Sequence, residues 1–205
     1  MSCCDLCPRL VAFRQQNQRL FPDFFNAPVP SFGDTNAELL VVGLAPGLKG
    51  ANRTGRPFTG DYAGILLYNT LAKFGFATGE YKADPNDNFR LVKARIANAV
   101  RCVPPENKVT GQEIKTCNAF LKAEIDALPR LRVIIALGAV AHKAVCRAFH
   151  IAEKKYKFAH GQKHILPTGV VLIDSYHCSR YNTSTKCLTQ QMFEDVFALA
   201  QACLL

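Results

Sequence analysis

Four cysteines are spaced as metal ligands often are. Cys4 and Cys7 form a C-x2-C pair, and Cys102 and Cys117 follow far downstream with fourteen residues between them. Two thiolates three positions apart can bind one metal through a single turn, and a distant pair can close the site. Four thiolates suit zinc or an iron–sulfur cluster, and the long second gap favours the cluster. Cys3 is an alternative ligand to Cys4.

The chain has nine cysteines, and their chemical state depends on the cellular compartment in which the protein resides. Its start has no basic run followed by an apolar stretch, as a signal peptide would. We therefore expect a reducing compartment, where disulfides are rare and cysteines serve as core thiols, metal ligands or reactive groups. Cys146, Cys187 and Cys203 fall in helical patterns, which favours core packing. Plain buried thiols are also the alternative for the C-x2-C pair.

A glycine-rich segment is a second place for chemistry. It runs from Gly43-Leu-Ala-Pro-Gly47 into Asn52-Arg-Thr-Gly-Arg-Pro-Phe-Thr-Gly60-Asp61. Glycines let the backbone come close to a flat ligand and expose its amides. The segment is not a P-loop, because it has no Gly-Lys-Ser/Thr. Physical grounds alone allow any phosphate or small-molecule loop, with Asp61 as a simple helix N-cap.

The elements that must position these residues follow from apolar patterning. Four apolar runs without alternation are typical of buried parallel strands: Glu38–Leu44, Ile96–Val100, Arg132–Leu137 and Val170–Ser175. Helical patterns separate or flank them: the stretch to about Leu20, Gly64–Phe74, Thr110–Leu128, Gly138–Phe149 and Thr185–Leu204. Thr110 and Glu113 form a candidate capping box. This alternation predicts an α/β fold, with helices on both faces of a four-stranded parallel sheet, in one domain over residues 1–205. Ligands bind such sheets at the carboxyl ends of the strands. Polar motifs follow three of the four strands: the glycine-rich segment, a second motif that begins at Asn98, and a third at His177.

Two of these motifs resemble a known family. GLAPG followed by NRTGRPFTGD is similar to the first motif of the family 5 (type B) uracil-DNA glycosylases, and NAVRCVPP (Asn98 to Pro105) resembles their middle motif. The resemblance runs from about residue 4 to residue 190. It implies the three-layer α/β/α uracil-DNA glycosylase fold and an enzyme that excises uracil from DNA to leave an abasic site, with other deaminated bases as further candidate substrates. It also implies a [4Fe–4S] cluster bound by Cys4, Cys7, Cys102 and Cys117.

The third motif departs from the family pattern at one position. His177-Cys178-Ser179 stands where the family usually has His-Pro-Ser, so a φ constraint is lost and we expect a less rigid loop. Ala45 stands where other glycosylase families carry an acidic or amide side chain. We expect Ala45 and Gly43 to lie against the substrate, in a wall with little polar discrimination.

Roles for the site residues follow from the reaction. Hydrolysis of an N-glycosidic bond develops positive charge on the sugar and negative charge on the leaving base, which must first leave the stack. We expect Phe58 to stack on the base, Asn98 to recognise its Watson–Crick edge, and His177 to donate to its O2. Asp61 and Asn52 are alternatives for positioning water or stabilising the sugar cation. Charge favours Asp61, whereas motif alignment favours Asn52.

Residues after the third motif are candidates for DNA contact. Ser179, Arg180 and Tyr181 lie on a predicted loop, where Arg180 can meet phosphate and Tyr181 can wedge into the gap left by a flipped nucleotide. An ordinary polar turn is the alternative. The basic segment 154–164 is either a path for the DNA backbone or a solvated loop. No lysine holds an obvious nucleophile position, although Lys49 lies in the first motif, so we expect a monofunctional glycosylase.

Composition agrees with these expectations without deciding between them. The 205 residues carry a net charge of +9, which favours a polyanionic partner such as DNA but also occurs in merely soluble basic proteins. No apolar stretch is long enough to span a bilayer, so we expect no membrane association and a location in the cytoplasm, associated with the nucleoid. We also expect a monomer. The alternatives are a non-catalytic nucleic-acid-binding iron–sulfur protein, and an electron-transfer protein in which the cluster itself is the function.

Overall fold

The computed structural model describes residues 4–205, so Cys3 lies outside the described residues. The strands are β1 Phe32–Gly33, β2 Leu39–Gly43, β3 Ala77–Thr78, β4 Arg90–Leu91, β5 Ala94–Asn98, β6 Val133–Leu137, β7 Lys163–Ile165 and β8 Val171–Ser175. The α-helices are α1 Pro8–Leu20, α2 Ala51–Thr54, α3 Tyr62–Lys73, α4 Gly111–Asp126, α5 Ala139–Ala148, α6 Arg180–Ser184 and α7 Gln190–Leu204. None of these helices is long and apolar enough to span a membrane.

The main sheet has the strand order β1-β5-β2-β6-β8-β7. Its four inner strands run parallel, as predicted, and the two short outer strands run antiparallel to their neighbours. The prediction of a strand from Ile96 to Val100 was wrong in its bounds, because β5 begins at Ala94 and ends at Asn98. Lys93, in the left-handed region at φ 53°, turns the chain just before Ala94 pairs with Leu39. This register places Asn98 at the end of its strand, opposite Gly43.

Both faces of the sheet are covered, which confirms the predicted three layers. Alternate strand residues such as Val41 and Ile135 pack with α3 and α7 in one core. Their neighbours, such as Val42 and Ile134, pack with α4 and α5 in a second core on the opposite face. The period of two along each strand therefore sends buried side chains to both helix layers.

Capping side chains set where the helices begin. The side chain of Asp61 accepts a hydrogen bond from the Gly64 amide and caps α3. Thr110 and Glu113 form the predicted capping box of α4. The predicted helix from Thr185 was wrong in its start: Thr189 caps α7. Cys187 is consequently outside a helix, and it is exposed, so its predicted core packing was also wrong.

One buried ion pair braces the loops near the first motif. Arg56 Nη1 and Nη2 donate to the two carboxylate oxygens of Asp87 at 2.7 and 2.9 Å. Asp87 also accepts from the backbone amides of Lys82 and Phe89. The hydrogen bonds from Arg56 lower the pKa of Asp87 to about 2. Aromatic rings surround the guanidinium at 5.1 to 5.7 Å: Phe32, Tyr68 and Tyr81.

Candidate active site

A cavity of about 390 Å³ lies beyond the carboxyl ends of β2, β5 and β8. This volume is within the range of roughly 300–1,000 Å³ typical of small-molecule sites. Seven of the residues predicted for the site line it: Ala45, Phe58, Asp61, Asn98, His177, Ser179 and Arg180. Side chains that are far apart along the chain therefore meet at one edge of the sheet, as the strand-end rule predicts.

Phe58 forms an aromatic wall of the cavity on a strained backbone. Its φ of 53° lies in the left-handed region, which a bulky residue rarely adopts. The Phe58 carbonyl accepts a hydrogen bond from the Tyr81 hydroxyl at 3.1 Å. A Cβ at position 64 would lie 1.7 Å from that carbonyl oxygen, so only glycine fits there. The ring stacks beside His177 with a centroid distance of 6.0 Å.

Asn98 brings an unpaired amide oxygen to the cavity. The residue is 6% exposed, and its Oδ1 has no hydrogen-bond partner among residues 4–205. An unsatisfied buried polar atom costs about 1–3 kcal/mol, so this oxygen is available to a donor on a ligand. A Cβ on Gly43 would lie 2.5 Å from this oxygen and 2.6 Å from Phe58 Cζ. Gly43 does not line the cavity; it lets Asn98 and Phe58 approach each other.

His177 follows β8 and presents a ring with no charge near pH 7. Burial lowers the pKa of His177 below its usual value. Its backbone carbonyl accepts from Asn182 Nδ2 at 2.8 Å, which ties the residue to α6. The neighbouring Cys178 is fully buried, and its Sγ lies 3.6 Å from the Ala63 carbonyl oxygen. Packing against α3 therefore holds this loop where the family usually has proline.

Asp61 places a carboxylate in the cavity wall. Its Oδ1 accepts from the Gly64 amide at 3.0 Å. Burial raises the pKa of Asp61 above its usual value. A Cβ on Gly50 would lie 2.5 Å from Oδ2, so this glycine leaves room for the carboxylate. The same side chain thus caps α3 and offers negative charge to the cavity.

Asn52, the alternative to Asp61, lies on α2 and does not line the cavity. The residue is 1% exposed, and its Nδ2 donates to Asn26 Oδ1 at 2.8 Å. Its Oδ1 has no partner in the part of the chain that the structure describes. Of the two alternatives, the side chain that reaches the cavity is that of Asp61.

The segment after His177 is a short helix, so the predicted loop was wrong. Ser179 caps α6 by accepting a hydrogen bond from the Asn182 amide, and serine is among the residues preferred at such a position. Arg180 lines the cavity, with its Cζ 5.1 Å from the centre of the Tyr62 ring. Tyr181 is 76% exposed and lies outside the cavity lining.

Sequence reasoning missed part of the wall. The residues it did not assign include Tyr62, Pro104 and Asn107. Glu106 and Asn107 both adopt the left-handed region, at φ 53° and 57°. The Pro-Pro pair before them signalled a turn, but nothing in it indicated that the turn folds over the cavity.

The four spaced cysteines also meet in space. Cys4, Cys7, Cys102 and Cys117 line one small apolar cavity between α1, α4 and the segment after β5. They are free thiols rather than disulfides. Burial raises the pKa of Cys102 to about 11, and it also raises the pKa values of Cys7 and Cys117.

Hydrogen-bond donors point at two of these sulfurs. Arg14 Nη1 lies 3.8 Å from Cys102 Sγ, and the Arg101 amide lies 3.4 Å from Cys117 Sγ. Thiolate ligands of a metal centre are commonly supported by such donors. Four thiols, an apolar lining and donors to sulfur fit an iron–sulfur cluster.

Comparison with known proteins places the chain in a family. The family model of the uracil DNA glycosylase superfamily matches residues 30–201. The chain belongs to the uracil DNA glycosylase superfamily. Within this superfamily it is 42% identical to the type-5 uracil-DNA glycosylase of Thermus thermophilus, over 98% of this chain and 94% of that protein. It is 39% identical to the type-5 uracil-DNA glycosylase of Mycobacterium tuberculosis, over 98% of this chain and 78% of that one.

More distant superfamily members match over less of the chain. Identity to the type-4 uracil-DNA glycosylase of Pyrobaculum aerophilum is 32%, over 85% of this chain and 76% of that protein. The crystal structure of Pedobacter heparinus SMUG2 superposes with a TM-score of 0.51 at 14% identity, over 82% of this chain and 76% of that one. That likeness shows a shared fold. The predicted resemblance to family 5 is confirmed by the type-5 matches.

Proposed function

We propose that this protein is a monofunctional uracil-DNA glycosylase that flips uracil out of DNA and hydrolyses its N-glycosidic bond, leaving an abasic site. The observation that carries the proposal is the meeting of Phe58, Asn98, His177 and Asp61 around one cavity at the carboxyl edge of the sheet. In the cavity lining, an aromatic wall, an amide, a neutral imidazole and a carboxylate supply what this reaction requires.

Recognition of the base is assigned to Phe58 and Asn98. A flipped pyrimidine stacks against the Phe58 ring, and the unpaired Asn98 oxygen accepts the N–H that uracil presents on its Watson–Crick edge. Thymine differs from uracil by a methyl group at C5. Whether the cavity has room for this methyl group therefore decides whether thymine is also a substrate. Ala45 adds no polar contact on its side of the cavity.

Bond cleavage is assigned to His177 and Asp61. As the bond breaks, electrons move to the base, and the neutral His177 ring donates an N–H to the developing negative charge on O2. The Asp61 carboxylate stabilises the positive charge on the sugar, orients the water that adds to C1′ and accepts the proton that this water loses. The base leaves as an anion and takes a proton from solvent. No lysine lines the cavity within residues 4–205, which supports hydrolysis without a covalent imine.

Excision from a defined oligonucleotide tests this proposal. The protein is incubated with DNA that holds one uracil, the product is heated in alkali, and we expect breaks at the uracil position. The same DNA with thymine in place of uracil is the control, and borohydride should trap no protein–DNA adduct. Asn98→Ala should abolish most excision, whereas Asn69→Ala, an exposed change on α3, should not. Intact uracil DNA after incubation with the folded protein would refute the assignment and favour a non-catalytic binder.

We further propose that Cys4, Cys7, Cys102 and Cys117 hold a [4Fe–4S] cluster. When bound, it would act as a structural tie between the N-terminal helix and the segment after β5. The proposed steps of base excision do not involve it.

Iron and acid-labile sulfide analysis of anaerobically purified protein tests the cluster. We expect about four of each per chain. Cys102→Ser should lower both and reduce the melting temperature, whereas Cys187→Ser, at an exposed cysteine outside the set, should change neither. Zinc at one equivalent in place of iron would overturn the assignment.

We also propose that the protein acts as a monomer, because the cavity needs no residue from a second copy to supply the assigned groups, and that it works in the cytoplasm near the nucleoid, where its DNA substrate lies. A single species of monomer mass in light scattering is the expected result.

A further inference from the structure

The segment 154–164, called the basic arm below, carries positive charge that the protein does not neutralise. Lys154, Lys155, Lys157 and Lys163 are exposed. No carboxylate lies within 4.0 Å of their ammonium groups in the described part of the chain. Tyr156 between them is half-buried and packs on the core beneath α5. The arm therefore turns its aromatic side inward and its lysines toward solvent.

A buried polar cluster fixes the arm to the sheet. Asp174 on β8 accepts from His142 Nδ1 at 2.7 Å, from His164 Nε2 at 3.2 Å and from the Ala159 amide at 3.4 Å. The other ring nitrogen of His142 donates to the Tyr156 carbonyl at 2.7 Å. Three contacts thus tie the arm at Tyr156, Ala159 and His164 to one carboxylate and its partner ring.

This cluster is an ion pair rather than a metal site. Ligand atoms on tetrahedral zinc lie about 3.3 Å apart for bonds of about 2.0 Å, whereas the nearest nitrogen and oxygen here are 2.7 Å apart. Both ring nitrogens of His142 face acceptors, so the ring carries two protons. Burial lowers the pKa of His142, but the hydrogen bonds to Asp174 and Cys146 and the charge of Asp174 raise it to about 10.

The fixed arm adjoins the candidate active site. The Gly161 amide donates to the Asp174 carbonyl at 2.8 Å, and the Asp174 amide donates to the Gln162 carbonyl at 3.0 Å. His160 Nδ1 accepts from the Tyr176 amide, and the two rings stack with centroids 5.0 Å apart. Tyr176 immediately precedes His177. The part of the arm around His160 is therefore held beside the loop that carries the cavity histidine, and the lysines belong to the same fixed segment.

We propose that the basic arm binds backbone phosphates of the DNA beside the flipped nucleotide. The inference rests on the proposed function in taking DNA as the ligand, and it adds a specific contact surface outside the cavity. A segment already fixed by Asp174 loses little conformational freedom on binding, so its lysines can contribute more affinity than those of a mobile loop. Phosphate contacts of this kind release counterions and make binding salt-dependent.

Charge removal on the arm tests the proposal. The triple variant Lys154→Gln, Lys155→Gln, Lys157→Gln is compared with a control triple of equal charge loss: Lys82→Gln, Lys93→Gln and Lys122→Gln. The control lysines pair with carboxylates elsewhere on the surface. Binding to duplex DNA without uracil is followed by fluorescence anisotropy across a salt series. The slope of log K against log salt should flatten by about 2–3 for the arm variant and by less than about 0.5 for the control.

A second variant separates the charge of the lysines from the hydrogen bonds that fix the arm to Asp174. His164→Ala removes one tie to Asp174 while all the lysines remain, so we expect a Kd weaker by roughly threefold with an unchanged salt slope. His164→Gln keeps an N–H donor and should restore the wild-type Kd.

The outcomes distinguish this proposal from the one on which it rests. An arm triple variant with the slope of the wild type, in a protein that still excises uracil, overturns the arm alone. A protein whose slope responds as expected but that leaves uracil in place overturns the glycosylase assignment alone. Equal flattening by the arm and control triples shows a general charge effect and also overturns the arm.

Discussion

Arg56 and Phe58 lie two residues apart, yet the polar groups around Arg56 are paired, whereas an amide oxygen near Phe58 is unpaired within the described residues. Around Arg56 the two carboxylate oxygens, the guanidinium and neighbouring amides are all paired, and aromatic rings cover the group. Around Phe58 the backbone is strained and the Asn98 oxygen lacks a partner. A satisfied polar cluster holds loops in place, whereas unsatisfied groups remain able to bind a ligand. The first region supports the second through the two intervening peptide bonds.

Breaking the satisfied region should produce the largest change. Asp87→Asn leaves the buried Arg56 cation without its counter-charge, and we expect the free energy of unfolding to fall by about 3–5 kcal/mol. Urea denaturation at pH 7 measures it. Asp84→Asn, at an exposed carboxylate nearby, should change stability by less than about 0.5 kcal/mol. A loss below about 1 kcal/mol for Asp87→Asn would remove the bracing role of this pair.

The same pair predicts how the wild type responds to acid. The folded pKa of Asp87, about 2, lies below the usual value near 3.9. Its contribution is therefore fully present above pH 4 and is lost as the pH falls toward 2. Asp87→Asn should lack this part of the acid transition.

The next largest effect should come from the cavity histidine. His177→Ala removes the proposed donor to the leaving base, so the single-turnover excision rate should fall by about 10²–10³-fold. Thermal melting should change little because the ring has no hydrogen bond to the rest of residues 4–205 that it would leave unpaired. An excision rate equal to that of the wild type would remove His177 from the mechanism.

Asp61→Asn separates capping from charge at one position. Asparagine caps helices as well as aspartate does, so α3 should keep its start. We expect excision to slow by at least about tenfold, with stability at pH 7 unchanged or slightly higher because a buried charge is gone. Burial raises the pKa of Asp61, so the wild-type rate should decline in acid at a pH above the usual carboxyl range. A flat rate across that range would exclude a catalytic carboxylate here.

Replacement of Asn98 should have only a small effect on stability, although it should abolish recognition of the base. Asn98→Leu removes an oxygen that has no partner, so the free energy of unfolding should change by less than about 1 kcal/mol. Asn118 is the matched control, since it is also buried but donates to the Ala144 carbonyl at 2.8 Å. Asn118→Leu should cost about 1–3 kcal/mol. Equal losses for both would show that the Asn98 oxygen contributes to stability as a paired amide does.

Much of the fold was predictable because helix caps and buried strands depend on residues that are close together in the sequence. Asp61, Thr110 and Glu113 were recognisable as caps from their spacing, and the inner strands from unbroken apolar runs. The edge strands β1 and β7, two and three residues long, carry no periodic signal and were missed.

The site was predictable as far as the strand ends and the motifs reach. The meeting of Phe58, Asn98 and His177 followed from the parallel sheet. The side-chain direction of Asn52 on α2 depends on Asn26, twenty-six positions away in the segment between α1 and β1, so sequence spacing could not reveal it. Tyr62 and Asn107 enter the cavity wall for the same reason: helix and turn placements are decided by tertiary packing.

The two short outer strands also affect how the protein behaves at high concentration. A sheet grows into filaments when a long, flat border offers backbone groups to another molecule. Here the edge strand β1 is only two residues long. The opposite edge strand, β7, is three residues long and begins with a lysine. These short edge strands cover the backbone groups of the four inner strands, so self-association by strand addition is disfavoured.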